Sequence, residues 1–279
     1  MKMKMLIPTD GSDNGNIALE YGLYIASKFD TTITGLHVID VYMIQGPIIT
    51  DISGAVGMPP YDGFFEAIET SLNEKAQFIL NDFQQRCQKS GFVAEVKKTI
   101  GKIDQIIVEE AQRADLVLMA KKGEHFHLKE GGLLGSVAEA VIRHCGKPVM
   151  VTPEKFHEIE SMGIAYDGSE PAKKALKLSL EISSQAAWPL TVVTITADAK
   201  KADTLCTEAE ELAGGYSADC EIITLQGKES EEILKFIQEG SVELMVMGAY
   251  GHNRLRELFL GSTTTNVIRK SSIPVLLTR

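Results

Sequence analysis

Glycines and basic residues crowd one stretch near the end of the chain. Residues 248–251 read GAYG, and Gly261-Ser262 follow after nine more residues. The stretch comes directly after an apolar, strand-forming run, residues 244–247 (LMVM), and leads into residues 262–269 (STTTNVIR), where a helix can begin. Glycine lets a backbone approach a ligand closely and take up positive φ angles. A helix start offers unpaired N–H groups and the positive end of a dipole. Together Gly248, Gly251, Gly261 and Ser262 make a phosphate cradle at the carboxyl end of a strand, which points to nucleotide binding. Ser262 is expected to N-cap the helix and to offer its hydroxyl to a phosphate. His252, Asn253 and Arg254 stand between the glycines, either in contact with phosphate or as a solvated loop. Arg254 and Arg256 supply a local positive spot in a chain of net charge −10.

Two aspartates are the other chemical candidates. Asp10 and Asp167 each end an apolar run as Asp-Gly-Ser. In a doubly wound sheet the first and fourth strands are neighbours, and ligands bind beyond their carboxyl ends. Each aspartate is thus expected near the glycine loop of its own half, where a carboxylate can accept hydrogen bonds from ribose hydroxyls or an adenine amino group. The same tripeptide also reads as a plain turn with a helix cap.

The elements that must position these residues occur twice. Residues 5–12 (MLIPTDGS) are matched by 162–169 (MGIAYDGS), and each leads into a helical pattern: Ile17, Ala18, Tyr21 and Ile25, then Ala172, Ala175, Leu176 and Leu180. Residues 32–39 pair with 190–196 as a second strand, and 92–96 with 220–224 as a third, each of the third followed by Gly-Lys and a helix. Residues 116–119 pair with 244–247, Gly135-Ser136 with Gly261-Ser262, and 147–152 (KPVMVT) with 273–278 (IPVLLT). Strands alternating with helices predict an α/β fold of two tandem doubly wound modules, each a five-stranded parallel sheet flanked by four helices. The modules are expected at residues 1–153 and 161–279, divided by the charged segment 153–160. The first half alone carries a Gly/Pro-rich loop, residues 41–63, of a length typical of lids or binding segments.

Composition excludes several classes of function. At 279 residues with 24% charged residues, the chain has ordinary globular composition. Its acidic balance argues against nucleic acid or an anionic membrane as the main partner. No apolar run approaches the roughly 20 residues of a membrane span. Pro8-Thr9-Asp10-Gly11 interrupts the leading run before a secretory h-region can form, so the expected location is cytoplasmic. Cys87, Cys145, Cys206 and Cys220 lack zinc-site spacing, and His125-Phe126-His127 has no evident third ligand, so no metal site is expected. A P-loop, a Rossmann fingerprint and a nucleophile elbow are also missing from the sequence.

The terminal aspartate of the first strand, the Gly-x2-Gly-x9-Gly-Ser spacing and the closing strand after proline resemble the universal stress protein family, twice over and across essentially the whole chain. The resemblance implies the adenine-nucleotide alpha-hydrolase-like fold and an ATP site in the second half. That site would use Asp167, Ile195 near the base, Gly248, Gly251, Gly261, Ser262 and Thr263, with Mg²⁺ held by the phosphates. The corresponding first-half set is Asp10, Val38, Gly123, Gly135, Ser136 and Val137. It departs from the pattern: Ala120 replaces the first glycine, and eleven residues separate Gly123 from Gly135. The resemblance also implies that closing strands pair between modules, here residues 149–151 with 275–277 in a pseudo-dimer, with a homodimer beyond it. The leading expectation is an ATP-binding stress-response protein whose conformation or association follows occupancy. Alternatives are a nucleotide-independent interaction scaffold and a slow ATPase using Arg254 and Arg256, for which no base is identifiable.

Overall fold

Alternating apolar runs and capped helices give alternating strands and helices, in a computed structural model that describes residues 2–45, 64–123, 134–249 and 260–279. The first module runs β1 (Met3–Pro8), α1 (Asp13–Lys28), β2 (Thr31–Asp40), α2 (Val41–Gln45), α3 (Phe64–Lys89), β3 (Ala94–Gly101), α4 (Ile103–Ala111), β4 (Leu116–Ala120), α5 (Ser136–His144) and β5 (Val149–Thr152). The second runs β6 (Met162–Ala165), α6 (Glu170–Ala186), β7 (Leu190–Ile195), α7 (Ala199–Ala213), β8 (Cys220–Leu225), α8 (Glu229–Gln238), β9 (Leu244–Gly248), α9 (Ser262–Lys270) and β10 (Val275–Thr278).

The ten strands of the described residues form one sheet in the order β3-β2-β1-β4-β5-β10-β9-β6-β7-β8. Each module is a five-stranded parallel sheet wound outward from its first strand and then back, the doubly wound α/β arrangement that the repeats predict. The switch point lies between β1 and β4 in the first module and between β6 and β9 in the second. An antiparallel ladder joins the modules, with Val275 opposite Val151, Leu276 opposite Met150 and Leu277 opposite Val149. Both strands of this seam are buried along their whole length. That burial explains why they read as unbroken apolar runs instead of alternating ones.

The core passes through the seam. On one face Met5, Ile7, Leu118 and Met150 join Ile164, Leu244, Val246 and Leu276 in one cluster. On the other face Val117, Val149 and Val151 join Met245, Val267, Val275 and Leu277.

Two sequence expectations need correction. The third strand begins at Ala94 instead of residue 92 and continues through Lys97 and Lys98 to Gly101. It is a sheet edge, where lysines are tolerated and discourage pairing with another chain. The 41–63 loop opens with helix α2; residues 46–63 lie outside the described residues. The charged segment between modules keeps its charged side chains exposed and is anchored by its apolar ones. Ile159 is fully buried, and Phe156 sits edge-on to Tyr21 with ring centroids 4.9 Å apart. Tyr21 Oη donates to the Lys155 carbonyl at 3.3 Å and accepts from the His157 amide at 3.1 Å, and Tyr24 Oη donates to the Ile159 carbonyl at 2.6 Å. Trp188 stacks on Tyr24 from the second module. The alternating charges of the segment hide these apolar anchors from a reading based on composition.

Candidate functional site

Strand register decides what can meet at the carboxyl ends. In the second module Ala165 of β6 lies beside Val193 of β7 and Met247 of β9. Two residues further on, Asp167 and Ile195 come level, and Gly248 follows Met247. In the first module Pro8 lies beside Leu36, which brings Asp10 and Val38 level in the same way. Asp167, Ile195 and Gly248, and likewise Asp10 and Val38, therefore lie at or just beyond the carboxyl ends of neighbouring strands.

The Asp-Gly-Ser turns are built alike. Gly11 and Gly168 adopt φ of 79° and 78°, angles that favour glycine. Ser12 then caps α1 by accepting from the Gly15 amide at 3.1 Å, and Ser169 caps α6 by accepting from the Ala172 amide at 3.3 Å. The aspartates differ. Asp10 is half-buried and its Oδ1 accepts from the Ser12 amide at 3.0 Å and from Ser12 Oγ at 2.6 Å. A Cβ on Gly123 would lie 2.8 Å from its Oδ2, so this carboxylate sits against the loop after β4. Asp167 is exposed and accepts from the Ser169 amide at 3.0 Å. Behind it, burial and then the Glu208 carboxylate, 3.0 Å from the Tyr166 hydroxyl, push the Tyr166 phenol above its ordinary range.

The fourth helices start differently from the first. The N-cap of α9 is Gly261, not Ser262, and the N-cap of α5 is Gly135; neither makes a side-chain capping bond. Serine before an apolar pattern is an N-cap signal, but the preceding glycine takes the extended cap conformation and Ser262 becomes the first helical residue. Gly261 and Ser262 are exposed and Thr263 is half-buried; Ser136 is exposed, with Gly135 and Val137 half-buried. The Gly135 amide donates to the Lys121 carbonyl at 2.7 Å, which draws the start of α5 onto the loop beside Asp10. Gly251, His252 and Arg254 lie outside the described residues.

The glycine at 248 has a local cause. A Cβ there would come within 2.9 Å of the Ala172 nitrogen and of the Pro171 carbonyl carbon, so backbone at the start of α6 requires glycine. In the first module the equivalent helix start is Asp13-Asn14-Gly15, without proline and with glycine in place of Ala172. Ala120 packs there against the core beside α1. The alanine at 120 thus goes with a helix start that carries Asn14 and Gly15 where the second module has Pro171 and Ala172. Comparing the two repeats position by position carries that signal.

Lys121 is the residue that sequence reasoning missed. It is buried, and its Nζ reaches the Ser271 carbonyl of the second module at 3.2 Å. Burial pulls its pKa down, against the opposing effect of Glu154. Its neighbour Lys122 pairs with Glu154 at 2.6 Å. A sequence signal exists: the repeat partner of Lys121 is Ala249. Among the described residues no three His, Cys, Asp or Glu side chains cluster as metal ligands, and no helix is long and apolar enough to cross a membrane.

An aspartate turn thus stands at the carboxyl end of the first strand in both halves, and the chain is similar to known proteins along its whole length. The universal stress protein family profile matches residues 1–153 and 194–279. Universal stress protein Slr1230 of Synechocystis is 30% identical over 285 residues, covering 99% of this chain and 99% of its own. Universal stress protein MJ0577 of Methanocaldococcus jannaschii is 36% identical over 159 residues, 56% of this chain and 97% of its own. The crystal structure of a universal stress protein from Archaeoglobus fulgidus superposes with a TM-score of 0.77 at 25% identity, covering 99% of this chain and 98% of that one. With the profile matched in both halves and full-length relatives on either side, the chain belongs to the universal stress protein family.

Proposed function

We propose that the chain is an ATP-binding stress-response protein in which nucleotide is held mainly by the second module and sets a conformational or association state. The functional modules are residues 1–153 and 161–279, acting in the cytoplasm as a pseudo-dimer across the antiparallel seam, with association of two chains as a further step. The observation that supports the reading is that β6, β7 and β9 run side by side to Ala165, Val193 and Met247, with Asp167, Ile195 and Gly248 just beyond, and that α9 begins at Gly261 with no side-chain cap. This set fits an adenine nucleotide. Asp167 would accept from ribose or the adenine amino group, Ile195 would pack on the base, and Gly248 and Gly251 would bring backbone close to it. The first-turn amides after Gly261, with Ser262 and Thr263, would bind phosphate, beside His252 and Arg254. Mg²⁺ would arrive with the phosphates, since it needs few protein ligands.

Preference for the second module is supported by the contrast between the aspartates. Asp10 already accepts two bonds from Ser12 and lies against the backbone of Gly123, whereas Asp167 is exposed. Occupancy shifts a conformation only through differential affinity for its states. The reading is tested by releasing ligand from freshly purified protein with acid and identifying it by chromatography. ATP near one per chain, lost in Gly261→Glu and kept in Gly135→Glu, is the expected result. Absence of nucleotide, with none taken up from millimolar ATP and Mg²⁺, would move the assignment to a scaffold.

A further inference from the structure

One residue touches the fourth helix of both modules. The Lys121 carbonyl accepts from the amide of Gly135, the N-cap of α5, at 2.7 Å. Its ammonium donates across the seam to the carbonyl of Ser271, the C-cap of α9, at 3.2 Å. The receiving turn is itself closely tied. The Ser271 amide donates to the Val267 carbonyl at 2.8 Å, its hydroxyl donates to the Ile273 carbonyl at 2.7 Å, and the Ile273 amide returns a bond to that hydroxyl at 3.2 Å. Ser271 is 3% exposed and Lys121 is 9% exposed, so the bond is shielded from competing water. A cation at a helix C-terminus also meets the negative end of the dipole.

The device is one-sided. Ala249, the repeat partner of Lys121, has no reach, and its amide donates to the Thr278 carbonyl at 2.7 Å in its own module. Lys122 adds a second tie, to Glu154 in the inter-module segment. The loop that in the second module leads into the glycine stretch thus serves in the first module as a strap onto the second.

We propose that Lys121 is an inter-module positioning residue, which fixes the end of α9 so that the first module's loop sets the placement of the helix start at Gly261 and Ser262. The phosphate side of this inference rests on the function proposed above; the strap itself does not. When the strap is cut, the turn after α9 loses its tie to the first module, and phosphate meets a less well placed set of amides.

The test uses the full chain as wild type, Lys121→Met, Lys121→Arg and Lys122→Met. Hydrogen exchange, melting temperature and ATP·Mg²⁺ affinity are read for each. Lys121→Met is expected to speed exchange at residues 271–273 by about tenfold and to weaken ATP by about fivefold, the share of one charge-assisted hydrogen bond that reaches the far end of the helix. Lys121→Arg should recover both in part, and Lys122→Met should leave both within about twofold, which general loosening of the seam would not do. Faster exchange spread evenly over the chain in Lys121→Met, or ATP affinity within twofold of a binding wild type, overturns the proposal. A wild type that takes up no ATP refutes the nucleotide reading alone. The exchange pattern then decides the strap, with a rise confined to residues 271–273 supporting it and a uniform rise overturning it.

Discussion

At the scale of single residues, identical sequence signals have different causes in the two halves. Gly248 is required by the backbone of Pro171 and Ala172, and Ala120 is admitted where the helix start carries Asn14 and Gly15. Gly248→Val should therefore destabilise the protein by about 1–3 kcal/mol, the usual cost of forcing atoms into a packed site. Ala120→Gly should cost less than about 1 kcal/mol, the price of glycine flexibility in a strand. Chemical denaturation distinguishes them, and equal effects would remove the packing explanation. Tyr21 carries a pH prediction. Burial pushes its phenol up to about 12, against about 10 in an unfolded chain. Because the folded state keeps the proton, this contribution is complete below pH 10 and is lost as pH rises toward 12. The loss is about 3 kcal/mol, and Tyr21→Phe should flatten the alkaline decline in melting temperature between those values. An unchanged decline in Tyr21→Phe would place its origin elsewhere.

Among elements, the strand-to-helix junctions divide the labour. Those after β1 and β6 are closed by serine caps and those after β4 and β9 start at glycine. Ser169→Ala should lose about 1 kcal/mol of stability, as removal of an N-cap usually does, whereas Ser262→Ala should leave stability nearly unchanged and act on nucleotide affinity. Equal losses of stability would return Ser262 to a capping role. Much of this level was legible in the sequence, because buried parallel strands such as residues 244–247 and turns such as Asp-Gly-Ser have short-range signals. Asp10 could be placed against the loop after β4 from strand order alone. Long-range contacts were not legible. Tyr21 fits the core periodicity of α1 equally well whether or not it bonds residues 155 and 157. Nothing near Lys121 in sequence announces Ser271, 150 residues away. The position of the cap at Gly261 depends on backbone angles that a serine signal mispredicts by one residue.

For the molecule as a whole, the seam makes two modules behave as one body. Three residue pairs between β5 and β10 join the half-sheets, and apolar clusters on both faces continue through them. The packed segment containing Phe156 and Ile159 closes one side. Calorimetry should show one cooperative transition. Leu276→Ala at the seam should lower the stability of the whole chain by about 2–5 kcal/mol instead of releasing one module. Two separated transitions in the unaltered chain would mean that the modules fold independently. The central claim concerns where nucleotide is held, and titration calorimetry with ATP and Mg²⁺ on the full chain tests it most directly. One site per chain, abolished by Gly261→Glu and retained in Gly135→Glu, is the predicted result; binding abolished by Gly135→Glu and retained in Gly261→Glu would contradict it.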